Sequence, residues 1–174
     1  MGRLLSVTLH IGVIDVNYVE REPPAKMKAR VLKNGKAPKK LRKHAAPEHK
    51  TTGDVATIIE AKYGLFTAFH ENKEAELVGY LEEGLGDALE QLLGGGSPVG
   101  LDPFAAGCSK IDEAFREFIS SREAEAVGIE GTPTEAARKG VNHRLKHPYA
   151  KKNPRRPSFD DTGLMMASEK SWVE

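Results

Sequence analysis

One cysteine, one tryptophan and an aromatic share of 6% leave this 174-residue chain short of groups on which many functions depend. A lone Cys108 cannot staple the chain to itself, so no disulfide framework exists, and its place in a helical pattern gives it a packing role in a reducing compartment. No stretch approaches the roughly 20 consecutive apolar residues of a membrane-spanning helix, which sets a membrane role aside. The apolar start, MGRLLSVTLHIGVIDV, alternates with Ser6, Thr8 and His10 and has no small-residue cleavage site, so it reads as a strand and not as a leader. The expected setting is the cytosol, or a particle assembled there.

What the chain has in quantity is charge, and the charge is sorted. Hydrophobic residues at 39% and charged residues at 29% suit a single domain over residues 1–174, long enough to bury about 70% of its unfolded surface. The net charge of +1 conceals three blocks. Residues 26–50 hold ten Lys or Arg, including Lys36, Lys39, Lys40, Arg42 and Lys43, against one acid, Glu48. Residues 55–93 hold eight acids, including Glu82 and Glu83, against Lys62 and Lys73. Residues 138–156 hold eight basic residues, including Arg155 and Arg156, and no acid. Complementary patches steer and register partners, so these named residues are the candidate interface groups; solvated faces that happen to cluster are the bland alternative. The basic arm would also neutralise phosphates, making nucleic-acid binding the competing function, although it has no aromatics for base stacking and no binding module around it.

Periodicity supplies the elements. Leu5, Val7, Leu9, Ile11 and Val13 alternate with polar residues and Gly12, which predicts a strand. Residues 26–50 read as a long loop with a possible hairpin at Asn34-Gly35. TTGDVATIIEAKYG predicts a short helix capped by Thr52 or Asp54 and closed by Gly64. ENKEAELVGYLEEGLGDALEQLLGGG predicts the longest helix, in which Gly79, Gly84 and Gly86 each cost about 1 kcal/mol unless packing, a kink or a close neighbour accounts for them. A Gly/Pro linker over 94–103 leads to a helix starting near Pro103, with Cys108, Ile111, Phe115, Phe118 and Ile119 on one core stripe. Thr132-Pro133-Thr134-Glu135 has the form of a capping box, predicting a helix from Pro133 to about Arg144. A basic, proline-containing loop over 145–160 follows, and the end of the chain reads equally as one strand or as a helical turn at Leu164–Ser168 leading into a strand.

Chemistry-bearing motifs are weak. His143 and His147 have the spacing of two metal ligands on one helix face, but Pro148 follows and no glutamate lies between them. The glycine run 94–96 lacks the Lys and Ser/Thr of a phosphate loop, and no serine or Cys108 sits in a nucleophile signature. Asp161-Thr162-Gly163 matches the aspartic-protease triplet, yet only eleven residues follow Gly163, too few for the strands that would hold a catalytic pair. The triplet reads instead as a turn.

Three segments together resemble a known family. VTLHIGVIDVNY gives an early strand with a glycine, VATIIEAKYG a helix running into an acid, an aromatic and a glycine, and TPTEAARKG precedes RRPSFDDTGLMMASEKSWV by about twenty residues. This set resembles the phage tail-completion or neck proteins, which include the lambda minor tail protein Z type and the Mu-like virion morphogenesis type. LFTAFHENKE departs from the Pro-Arg-Pro-Phe-like stretch that the family often shows after the helix glycine. The resemblance implies an α+β domain, with a small mixed or antiparallel sheet packed against three to four helices and the basic arm as an insertion. It further implies a virion location at the head-tail junction, assembled in the host cytoplasm. There the chain would form a ring, most often a hexamer, between connector or neck proteins and tail tube or terminator proteins, with at most non-specific contact to genomic DNA. No enzyme activity, cofactor, metal or membrane contact is expected, and Asp161, Thr162 and Gly163 become a structural turn. Deletion of residues 26–48 is expected to leave the fold intact and to impair assembly. A circular dichroism melt beside the full chain checks the first, and an unfolded deletion variant would count against an appended arm.

Overall fold

The computed structural model describes residues 7–17, 51–96 and 102–174, so the basic arm 26–50 and residues 97–101 of the linker lie outside the described residues. Among the described residues the order is β1 (Leu9–Val13), α1 (Thr52–Tyr63), α2 (Leu65–Leu93), α3 (Ala105–Ser120), α4 (Glu123–Ala126), α5 (Glu135–Arg138), α6 (Leu164–Ala167) and β2 (Glu169–Val173). This is the α+β class, with an antiparallel two-stranded sheet and six helices where three to four were expected; α4, α5 and α6 span four residues each. No described helix is long and apolar enough to cross a membrane.

α1 is capped by Thr51, one residue before the expected Thr52. Thr51 Oγ1 accepts from Asp54 N at 3.2 Å while Asp54 Oδ2 accepts from Thr51 N at 3.0 Å, a reciprocal box. Thr52 is thereby released to the interior, where its hydroxyl donates to Ile14 O at 2.7 Å and accepts from Val16 N at 2.8 Å, bolting α1 to the end of β1. Gly64, at φ 62°, closes α1 and opens α2 at once. The sequence predicts α2 only from about Glu71, because LFTAFH carries no capping signal of its own. The cap comes from the preceding helix: Glu60 accepts from Phe66 N at 2.7 Å, Thr67 N at 3.3 Å and the Thr67 hydroxyl at 2.5 Å, satisfying amides at the start of α2.

α2 and α3 pack side by side and antiparallel. Toward the ends that the 94–104 linker joins, the two backbones touch: a Cβ on Gly107 would lie 2.6 Å from Tyr80 O, and one on Gly84 would lie 2.8 Å from Gly107 N. Toward the other end, Phe115 stacks on Phe66 at 5.0 Å and meets Phe69 edge-on at 5.1 Å, while Phe118 lies 5.4 Å from Phe69. The predicted α3 stripe of Cys108, Ile111, Phe115, Phe118 and Ile119 is buried throughout. Of the three glycines inside α2, Gly84 serves a close neighbour, whereas a Cβ at Gly79 or Gly86 would meet nothing within 4 Å.

The final segment takes its helix-then-strand form. α6 turns into β2, whose register against β1 runs from Leu9↔Val173 to Val13↔Glu169. β2 is unusual in turning polar residues inward. Ser171 N donates to Asp112 Oδ1 of α3 at 2.7 Å, and its hydroxyl lies 2.5 Å from the same oxygen and 2.8 Å from Cys108 O. On the outer face Trp172 stacks on His10 with ring centroids 5.2 Å apart.

The helix expected from Pro133 to Arg144 is a single turn, α5, and its cap is Thr134, which accepts from Ala137 N at 3.3 Å. Thr132 instead donates to Ile129 O at 2.6 Å. The extension fails because the returning chain occupies its path: Ser158 Oγ accepts from Thr134 N at 3.0 Å, and Arg156 N donates to Ala137 O at 3.3 Å. In urea unfolding, Gly107→Ala is expected to cost about 1–3 kcal/mol by forcing the helices apart, whereas Gly79→Ala is expected to add up to about 1 kcal/mol.

Candidate functional site

The Asp161-Thr162-Gly163 corner is built as a staple. Asp161 Oδ1 accepts from His143 N at 2.9 Å, and Oδ2 lies 2.6 Å from His143 Nδ1. His143 Nε2 is 3.0 Å from the Tyr149 hydroxyl, so the network assigns the ring proton to Nδ1 and leaves Nε2 to accept from Tyr149. Thr162 Oγ1 accepts from Leu164 N at 3.3 Å, Gly163 takes φ 78°, and Met165 drops into the core at 4% exposure. The neighbouring Asp160 pairs with Arg144. Asp161 thus holds the loop of residues 141–149 against the corner. The helical spacing of His143 and His147 is not realised, since α5 ends at Arg138 and both histidines stand in turns. Among the described residues no group of three or more His, Cys, Asp or Glu side chains is placed to hold a metal.

The residues singled out as interface groups divide. Lys36, Lys39, Lys40, Arg42 and Lys43 lie outside the described residues. Glu82 is exposed on α2, and Glu83 beside it pairs with Lys110 Nζ at 2.6 Å. Arg155 and Arg156 use donors within the subunit. Arg155 pairs with Glu125 of α4; Arg156 donates from Nε to Val141 O and from NH1 to Pro157 O at 3.0 Å, with NH2 3.8 Å from Asp161 Oδ1. Glu125, its side chain 7% exposed, also accepts from Ser158 N at 2.9 Å and Ser158 Oγ at 2.8 Å. Burial opposes its charge, yet the Ser158 hydroxyl and amide and the Arg155 guanidinium hold its carboxyl below the usual range. Lys73 of α2 completes this joint by bridging Glu123 at 3.0 Å, and that hydrogen bond raises the lysine's pKa.

A second buried carboxyl has no signature in the sequence. Glu169 at the start of β2 is 2% exposed, and neither of its oxygens has a hydrogen-bond partner among the described residues. Burial, then the negative charge of Asp112, push its pKa up to about 8, against the pull of Arg116, whose NH2 is 3.7 Å away, and of Lys170. A period-two pattern alone would not reveal it, because an acid in alternation with lysine and tryptophan reads as the wet face of a strand. Cys108, also buried, has its thiol pKa raised by that burial, which suits packing.

Beside the outer edge of β1 lies an open groove of about 780 Å³, walled by Ala56, Thr57 and Glu60 of α1 and by Phe66 and His70 of α2. Backbone bonds between Thr8 and Glu174 and from Ile14 N to Ser168 O fix the pairing phase, so Leu9, Ile11 and Val13 direct their N–H and C=O groups into this groove. Among the described residues no strand pairs with them.

No protein-family model, curated protein or solved structure matches the chain.

Glu169 yields a sign-definite expectation. A folded pKa near 8 against about 4.5 unfolded means that the native state keeps a proton the unfolded state has released. Its stabilising contribution is complete below pH 4.5 and is lost as pH rises toward about 8, at about 1.4 kcal/mol per pH unit. Glu169→Gln is expected to melt with a flatter pH profile over that window and to exceed the native chain above pH 8; thermal melts of both at several pH values check this.

Proposed function

We propose that this chain is a structural subunit of the head-tail junction of a tailed bacteriophage, a neck, tail-completion or terminator protein that closes into a ring, with six copies the expected number. The resemblance of its three segments supports the family. The observation that carries the reading is where opposite charges sit on the subunit. The basic return loop is tied to the Lys73 region of α2 through Glu123, Glu125 and Ser158. The acids Glu82, Asp87 and Glu90 lie up to seventeen residues further along the helix, about 25 Å away at 1.5 Å per residue.

Patches of opposite sign so far apart do not neutralise each other within one subunit. Between copies, the acidic end of one meets the basic end of the next, a heterologous contact that makes a ring when its rotation closes. The partners above and below would be connector and tail tube or terminator proteins, and Asp161 has an architectural part in the subunit.

The test is the mass and shape of the purified full chain, by light scattering after gel filtration and by negative-stain electron microscopy. Rings whose mass is a multiple of 19.0 kDa are expected. A monomer at every concentration and salt would overturn the reading. If that monomer bound duplex or single-stranded DNA tightly at low salt and lost it steeply as salt rose, the basic arm would be a nucleic-acid arm.

A further inference from the structure

α2 has two apolar faces where a surface helix needs one. Leu77, Gly84 and Ala88 face the interior and are buried. About 90° round the helix, at 100° per residue, Val78, Leu85, Leu89 and Leu92 recur at spacings of seven, four and three residues and remain 49%, 39%, 52% and 37% exposed, and Leu93 after them is 88% exposed. Glu82 stands within this stripe and Glu90 on its flank, so the exposed apolar face is framed by acid.

The basic loop carries a complementary surface. Leu145 is 38% exposed and Tyr149 73% exposed, framed by Lys146, Lys151 and Lys152, which form no ion pair among the described residues. The loop is held in shape before anything docks. Asn153 Nδ2 donates to His147 O and Pro148 O at 2.9 Å each, Asn142 N donates to Pro148 O at 3.1 Å, and His143 is pinned between Asp161 and Tyr149. A preorganised loop loses little freedom on binding.

We propose that the Val78–Leu92 stripe of α2 receives the Leu145/Tyr149 loop of a second copy of this chain. The inference rests on the assembly reading above and names its contact. Charge selects this pairing over the symmetric ones: stripe on stripe would bring the Glu82 side chains together, and loop on loop would bring lysines together. The two surfaces also belong to different elements, the stripe to α2 and the loop to the segment between α5 and the Asp161 corner, so each copy offers one of each and the contact propagates from copy to copy.

The experiment uses the full chain and two variants, Leu89→Glu in the stripe and Tyr149→Glu in the loop, with Leu85→Glu as a second stripe variant. All three positions are exposed in the subunit, so the two stripe variants are expected to melt as the native chain does, and Tyr149→Glu, which gives up the hydroxyl partner of His143 Nε2, to melt slightly lower while staying folded. Each variant alone is expected to be a monomer by light scattering. Mixed one to one, the Leu89→Glu and Tyr149→Glu chains retain one intact stripe and one intact loop between them, and are expected to form dimers and nothing larger. If both stripe variants and the loop variant still assemble as the native chain does, this contact is wrong and the ring reading stands. A mixture that fails to dimerise although each variant is folded and monomeric would also overturn it. A native chain that is itself monomeric overturns the contact and the ring together.

Discussion

The crossing of α2 and α3 at Gly84 and Gly107 is the constraint to which the rest of the subunit is referenced. Two backbones in contact leave no room for a side chain on either, which fixes the rotation of each helix about its own axis as well as the distance between them. From that point the antiparallel pair places Phe66 and Phe69 opposite Phe115 and Phe118, so a chain poor in aromatics concentrates four of its six phenylalanines in one cluster. Burying such side chains contributes about 1.5–3 kcal/mol each, and the cluster anchors the end of the pair where α4 and the return loop attach.

Around this pair the other elements are located by buried or half-buried polar groups. Thr52 ties α1 to β1, Asp112 ties α3 to β2, Glu60 joins α1 to α2, and Glu125 fastens α4 to the chain near Ser158. Each is stabilising because its partners are present; a buried polar group without them costs free energy. Glu169 is the exception, a buried carboxyl with no donor on either oxygen among the described residues. Burial pushes its pKa up to about 8, so the subunit accommodates it as the neutral acid below that pH.

The sequence made the helical core legible and the joints illegible. The stripe from Cys108 to Ile119 and the closing role of Gly64 follow from periodicity and from one residue's tolerance of positive φ, and both are present. The first turns of α2 were hidden because Glu60, six residues before the amide it caps, belongs to no local capping pattern. α5 was overestimated because Thr132-Pro133-Thr134-Glu135 satisfies the capping rule on paper, while contacts from residues 156–158 decide where the turn starts and stops. The candidate surfaces were legible as charge blocks but not residue by residue. Arg155 and Arg156 are tied up within the subunit, whereas Leu89 and Tyr149, which no charge count would select, stand at the surface.

The direct junction of α1 and α2 through Gly64 has a consequence for how this chain tolerates changes in length. With no loop between them there is no slack, and one extra residue at that point would turn all of α2 by about 100° about its axis. Gly84 would then swing away from Gly107, and both phenylalanines with it. By contrast Asn17 and Thr51 pair across the thirty-three residues between them, so the ends of that segment are already joined and its length costs only a slowly growing closure entropy. Variants of this protein should therefore grow or shrink between β1 and α1, and keep the α1-α2 junction at constant length.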